Sequence, residues 1–139
     1  MPAAKKLLLV EDDRHAREGY RLYLSGAGFS VQTLDGGADA LTFAKLTSPD
    51  LIVLDLGLPD VDGWEVARQI KSDGQTKSIP IVAFSGRSMQ HEQVSALRAG
   101  CDVYLTKPCE PARLLSTIRK LLGMTPAHGD DLQKPIDPY

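Results

Sequence analysis

Short apolar runs alternate with helical patterns about five times along this chain, and that alternation is how a parallel sheet covered by helices on both faces is written in sequence. The runs at 7–10, 30–34, 51–56, 79–84 and 103–105 read as strands. The third and fourth are continuously apolar, as strands buried on both faces must be. Helical patterns lie near 14–26, 37–47, 63–73, 89–99 and 111–122. Glycines at 26 or 28, 74, 100 and 123 stand where a left-handed residue can close a helix. The last pattern is the clearest, with Pro111 in the first turn and Leu114, Leu115, Ile118, Leu121 and Leu122 on one stripe.

A chain of 139 residues with this pattern is one domain, expected over 1–123. The remainder, 124–139, holds three prolines and no apolar period, and is expected to be a flexible tail. If the chain is complete, it carries no output domain. Sixteen basic against eighteen acidic side chains give a net charge of −2, which supplies no long-range pull toward nucleic acid or an anionic membrane. The apolar run after Lys5 and Lys6 ends at Val10, before three acids, too short for a signal peptide or a membrane span.

Cys101 and Cys109 have no metal spacing and read as small buried side chains in a reducing cytosol. His15, His91 and His128 likewise share no metal-ligand spacing, so zinc and histidine-nucleophile chemistry find no support.

Parallel sheets bind ligands at the carboxyl ends of their strands. There stand Glu11, Asp12 and Asp13 after the first strand, Asp55 at the end of the third, Ser85 at the fourth and Lys107 at the fifth. Asp13 reads as the cap of the first helix. If the first and third strands are neighbours, the carboxylates of Glu11, Asp12 and Asp55 converge and raise one another's pKa unless a cation sits among them. Oxygen donors without His or Cys point to Mg²⁺. With Mg²⁺, the Lys107 ammonium and the Ser85 hydroxyl each facing one phosphoryl oxygen, Asp55 could attack phosphorus in line and hold an acyl phosphate.

Four blocks, LLLVEDD (7–13), DLIVLDLGLPDVDGWE (50–65), IPIVAFSG (79–86) and AGCDVYLTKP (99–108), make the chain resemble the receiver domains of bacterial two-component response regulators over nearly all of residues 5–123. The resemblance implies a flavodoxin-like doubly wound sheet of strand order 2-1-3-4-5. It implies Asp55 as phosphoacceptor, Lys107 and Ser85 as its catalytic partners, and Ser85 with Tyr104 as the switch pair. Glu11, Asp12, Asp55 and the backbone carbonyl of Gly57 would hold Mg²⁺, Glu11 more remotely. Pro59 and Gly63 would shape the loop after Asp55, and the Lys107–Pro108 peptide would be cis.

Two departures from the family pattern stand out. Cys109 occupies a position where an aromatic is common, and Gly57 and Arg87 are the variable residues flanking the phosphoryl group.

The same resemblance implies a phosphodonor, either a histidine kinase or a histidine phosphotransfer protein. It implies a cytoplasmic location and an unidentified downstream protein that reads a surface made by the fourth helical pattern, the fifth strand and the fifth helical pattern. Gln90, His91, Arg98, Arg113 and Lys120 would lie there, and a homodimer through those helices is an open alternative. Such a module catalyses only its own phosphorylation and dephosphorylation. The competing enzyme reading, a Mg²⁺-dependent aspartyl phosphatase or phosphotransferase, calls for an acid/base two residues after the nucleophile, and that residue is Gly57. A nucleotide or flavin site lacks its glycine-rich loop after the first strand.

Overall fold

Every apolar run becomes a strand, β1 (Lys6–Val10), β2 (Ser30–Leu34), β3 (Leu51–Asp55), β4 (Ile81–Ser85) and β5 (Val103–Thr106), in a computed structural model that describes residues 3–86 and 99–124. The strands form one parallel sheet in the order β2-β1-β3-β4-β5. The helices among the described residues are α1 (Arg14–Gly26), α2 (Ala40–Thr47), α3 (Gly63–Ser72) and α4 (Pro111–Leu121). The helical pattern near 89–99 lies outside the described residues except for Ala99, as do Arg87, Gln90, His91 and Arg98, and the tail from 125 onward.

The pleat sorts the core into two. Leu8, Val10, Ile52, Leu54, Ile81, Ala83 and Tyr104 face α2 and α3, where Ala40, Ala44, Val66, Ala67 and Ile70 receive them. Leu7, Leu9, Leu51, Val53, Val82, Phe84 and Leu105 face α1 and α4, against Leu24, Leu114 and Ile118. All five positions of both β3 and β4 are buried, so each side is worth about 1.5–3 kcal/mol per large side chain. Edge strand β2, half in solvent, has the mixed sequence Ser-Val-Gln-Thr-Leu.

Several expected boundaries shift, three of them for a visible reason. β4 starts at Ile81 instead of Ile79, because Pro80 has no N–H for the ladder and the Ile79 amide closes a turn onto the Thr76 carbonyl at 3.0 Å. α2 starts at Ala40 instead of 37, because the Gly37 and Ala38 amides are taken by the Asp60 carboxylate at 3.0–3.1 Å. Gly74 does not end α3 in a left-handed conformation; Asp73, extended, is its C-cap, whereas Gly28, Gly100 and Gly123 do have positive φ.

Candidate functional site

α1 is launched by Asp13, whose carboxylate accepts the Ala16 amide at 2.9 Å, as its capping chemistry predicts. The two acids before it, Glu11 and Asp12, therefore stay in the turn between β1 and α1, beside the end of β3. One carboxylate oxygen from each of Glu11, Asp12 and Asp55 lies within 4.8 Å of the others. Glu11 is completely buried and Asp55 is 4% exposed, while Asp12 faces solvent.

On the other flank, the amide of Lys107 donates to the Ser85 carbonyl at 2.7 Å just past the end of β5, and the Lys107–Pro108 peptide is cis. The Lys107 ammonium reaches Glu11 Oε1 at 2.7 Å and Asp55 Oδ2 at 3.1 Å. It also stands 4.9 Å from the centroid of the Phe84 ring, a cation–π distance. The second Asp55 oxygen, Oδ1, accepts the Gly57 amide at 2.9 Å. By strand alternation Asp55 and Phe84 belong to the α1/α4 side, and Glu11 and Lys107 arrive there from one residue beyond their strands.

The charges do not balance. Among the described residues, three carboxylates against one ammonium leave two negative charges when all are ionised. Burial pushes the Glu11 carboxyl above its ordinary value, with the nearby Asp55 adding to the rise against the Lys107 hydrogen bond. Burial works against the Lys107 ammonium too, but its hydrogen bond to Glu11 and the Asp55 charge outweigh it and raise its pKa. A group of oxygen donors short by two positive charges suits a hard divalent cation.

Gly63, first residue of α3, is required by close approach: a Cβ there would stand 2.7 Å from the Leu56 Cα and 3.1 Å from the Asp55 carbonyl oxygen. Pro59 sits exposed at a bend of the same loop. Ser85 is buried at the end of β4 and Tyr104 is 2% exposed on β5. Tyr104 packs in the core on the α2/α3 side, and Ser85 ends β4 one residue beyond Phe84, the register partner of Asp55. Both cysteines are free and buried, and burial pushes the Cys101 thiol up to about 12 and raises that of Cys109, which leaves them inert.

Two participants escaped the sequence reading. Arg17 donates from Nη1 to the carbonyls of Glu11 at 3.0 Å and Asp12 at 3.1 Å, and Phe84 supports Lys107. Arg17 follows its cap by four residues, so it points back over the first turn, a signal available once Asp13 is taken as the cap. Phe84 looks in sequence like any strand aromatic.

The family model described as the response regulator receiver domain matches residues 7–119. The chain is 41% identical over 127 residues to the response regulator MprA of Mycobacterium sp. strain KMS, covering 91% of this chain and 54% of that protein. To the MprA of Mycobacterium leprae it is 42% identical over 120 residues, covering 86% and 52%. The chain thus spans about half the length of these curated relatives.

Among solved structures, the chemotaxis response regulator CheY4 of Vibrio cholerae superposes with a TM-score of 0.80 at 27% identity, over 86% of this chain and 99% of that one. The receiver domain of a sensor histidine kinase of Pseudomonas aeruginosa PAO1, with a magnesium ion coordinated in its active-site cleft, gives a TM-score of 0.80 at 29% identity, over 87% and 99%.

Proposed function

This chain belongs to the response regulator receiver domain family, and from that premise we propose that Asp55 takes a phosphoryl group from a histidine kinase or a histidine phosphotransfer protein. The observation that carries the assignment is the buried charge deficit among the described residues: Asp55 at the carboxyl end of a central strand, with Glu11, Asp12 and Lys107 around it. Four-fifths or more of the chain matches receiver domains, and a signalling role follows from the family.

The Asp55 carboxylate attacks phosphorus in line, a bond from its oxygen to phosphorus forms, and the bond to the donor breaks with the electron pair leaving on the donor. The Gly57 amide fixes the orientation of the carboxylate. Lys107, held between Glu11 and Asp55 before the reaction, moves its ammonium onto a phosphoryl oxygen as negative charge leaves Asp55 for the phosphoryl group. Ser85 offers its hydroxyl to another oxygen.

Glu11, Asp12, Asp55 and the Gly57 carbonyl would hold Mg²⁺, which would supply charge neutralisation for the phosphoryl group when bound. The chain's only chemistry in this reading is its own phosphorylation and dephosphorylation.

The output runs through Ser85 and Tyr104 to a surface that includes β5 and α4, read by a downstream protein. The observed Tyr104 is inward, so the state in which it is exposed is the other end of the switch. Residues 1–123 make up the receiver unit, with 124–139 as its tail. The site of action in this reading is the cytoplasm; no described helix is long and apolar enough to cross a membrane.

Treatment with acetyl phosphate and Mg²⁺ followed by intact mass is expected to show one phosphoryl adduct, dependent on Mg²⁺ and lost in Asp55→Asn. No adduct under conditions that label another receiver overturns the assignment. Repeated turnover of phosphomonoesters would favour the aspartyl phosphatase instead.

A further inference from the structure

Helix α1 gives no carboxylate to the site, yet it touches both halves of it. Near its start, one Arg17 nitrogen bridges the consecutive carbonyls of Glu11 and Asp12, which fixes both peptide planes and with them the directions in which the two acid side chains leave the backbone. One turn later, the Tyr20 hydroxyl donates to the Cys109 carbonyl at 2.7 Å. The Tyr20 ring meets Phe84 edge-on, with centroids 5.7 Å apart and planes at 81°, a favoured aromatic geometry. The other side of that contact is the ring under Lys107. Arg17, Tyr20 and Leu24 recur at helical spacing along one face, and Leu24 is fully buried in the core that also contains Phe84, Cys109 and Leu114.

Lys107 is thereby held on both sides along the chain. Its own amide is tied to Ser85, and two residues later the loop is tied to Tyr20. Cys109 contributes a small side chain at this point, so the aromatic bulk under the lysine comes from α1 and β4. An ammonium attracted by two buried carboxylates would otherwise settle where the charges pull it, and rigid neighbours prevent that.

We infer that α1 is a brace that sets the separation of the two halves, with Tyr20 positioning Lys107 and Arg17 positioning Glu11 and Asp12. The inference rests on the reading of Asp55 as phosphoacceptor beside a Mg²⁺ site.

The two contacts predict separable effects in the full chain. Tyr20→Phe keeps the ring and loses the donor. It is expected to shift the Lys107 ammonium resonance in NMR, assigned by its absence in Lys107→Met, and to slow labelling by acetyl phosphate about fivefold, with the Mg²⁺ dissociation constant from calorimetry changed by less than about twofold. Arg17→Gln is expected to weaken Mg²⁺ on the order of tenfold and leave the Lys107 resonance in place; Arg17→Lys should recover part of that affinity.

Melting temperatures lowered without these separate signatures would overturn the brace, as would a Lys107 resonance unmoved in Tyr20→Phe. A wild-type chain that acquires no adduct overturns the phosphoacceptor reading alone, since the Lys107 resonance reports on the pairing with Glu11 and Asp55 present before any phosphoryl group arrives. A wild-type chain that binds no Mg²⁺ overturns the Arg17 half.

Discussion

The two ends of the sheet carry the same kinds of residue and use them in opposite ways. At the amino ends, Asp50 accepts the Lys6 amide at 2.7 Å and Asp102 accepts the Ile81 amide at 2.8 Å and the Lys71 ammonium at 3.2 Å. Lys71 adds the Ile79 carbonyl at 2.7 Å. Each of these acids has donors to itself, partly in water. At the carboxyl ends, two buried acids share one lysine, with a third, exposed acid beside them. Satisfied charges tie strands together, while a buried deficit has free energy to give to whatever cation or group relieves it.

The largest contrast is chemical. Asp55→Asn should abolish phosphoryl labelling, whereas Asp102→Asn should leave labelling intact and lower only the melting temperature, both read by intact mass and thermal unfolding. Labelling that survives in Asp55→Asn would erase the distinction between the two ends.

Removing the lysines should separate them next. Lys107→Met leaves Glu11 and Asp55 buried without their counter-charge, which should cost about 3 kcal/mol in urea unfolding without Mg²⁺ and slow labelling on the order of a hundredfold. Lys71→Met, at a partly solvated pair, should cost about 1 kcal/mol or less with labelling unchanged.

Mg²⁺ itself should act at one end only. At a hundred times its dissociation constant it should add about 2.7 kcal/mol of stability, and Asp102→Asn should show the same gain. Because the folded-state pKa of Glu11 lies above its unfolded value of 4.5, the native state binds the proton more tightly. The stability from that proton is present below 4.5 and lost as pH rises through the folded value. The gain from Mg²⁺ should therefore grow from pH 4.5 to neutrality, which thermal shifts at several pH values would measure.

Asp60 offers the finest test, since it lies at the carboxyl end but is satisfied like the acids at the other. The Gly37 amide, opposed by burial and helped by the Ala38 amide, holds its carboxyl below the ordinary value of 3.8. Its stabilisation is present above 3.8 and lost as pH falls through the lowered folded value. Asp60→Asn should cost less than about 1 kcal/mol and leave Mg²⁺ affinity unchanged in calorimetry. A large loss of Mg²⁺ affinity would mean that position at the sheet edge, and not charge balance, separates the two kinds of acid.

Much of this was legible beforehand because strands buried on both faces leave continuous apolar runs, and 51–56 became β3 with a loss of one residue. Asp13 was legible as a cap because capping is local. The start of α2 was not: Gly37 and Ala38 give their amides to Asp60, more than twenty residues away, and no local pattern records a partner at that distance. Residues Glu11, Asp12, Asp55 and Lys107 could be named from strand ends alone, whereas Tyr20 could not, because its role lies in a bond to Cys109 across 89 residues.

The sequence by itself determined the layers, the alternation of strand and helix, and which residue types stand at the strand ends, since burial and capping act through near neighbours and a fixed period. Tertiary structure alone decided that Glu11 is the buried acid and Asp12 the exposed one, that one lysine serves two carboxylates, and that α1 holds both halves in place. Those outcomes depend on distances between segments far apart in the chain, and only the packed sheet and its helices set such distances.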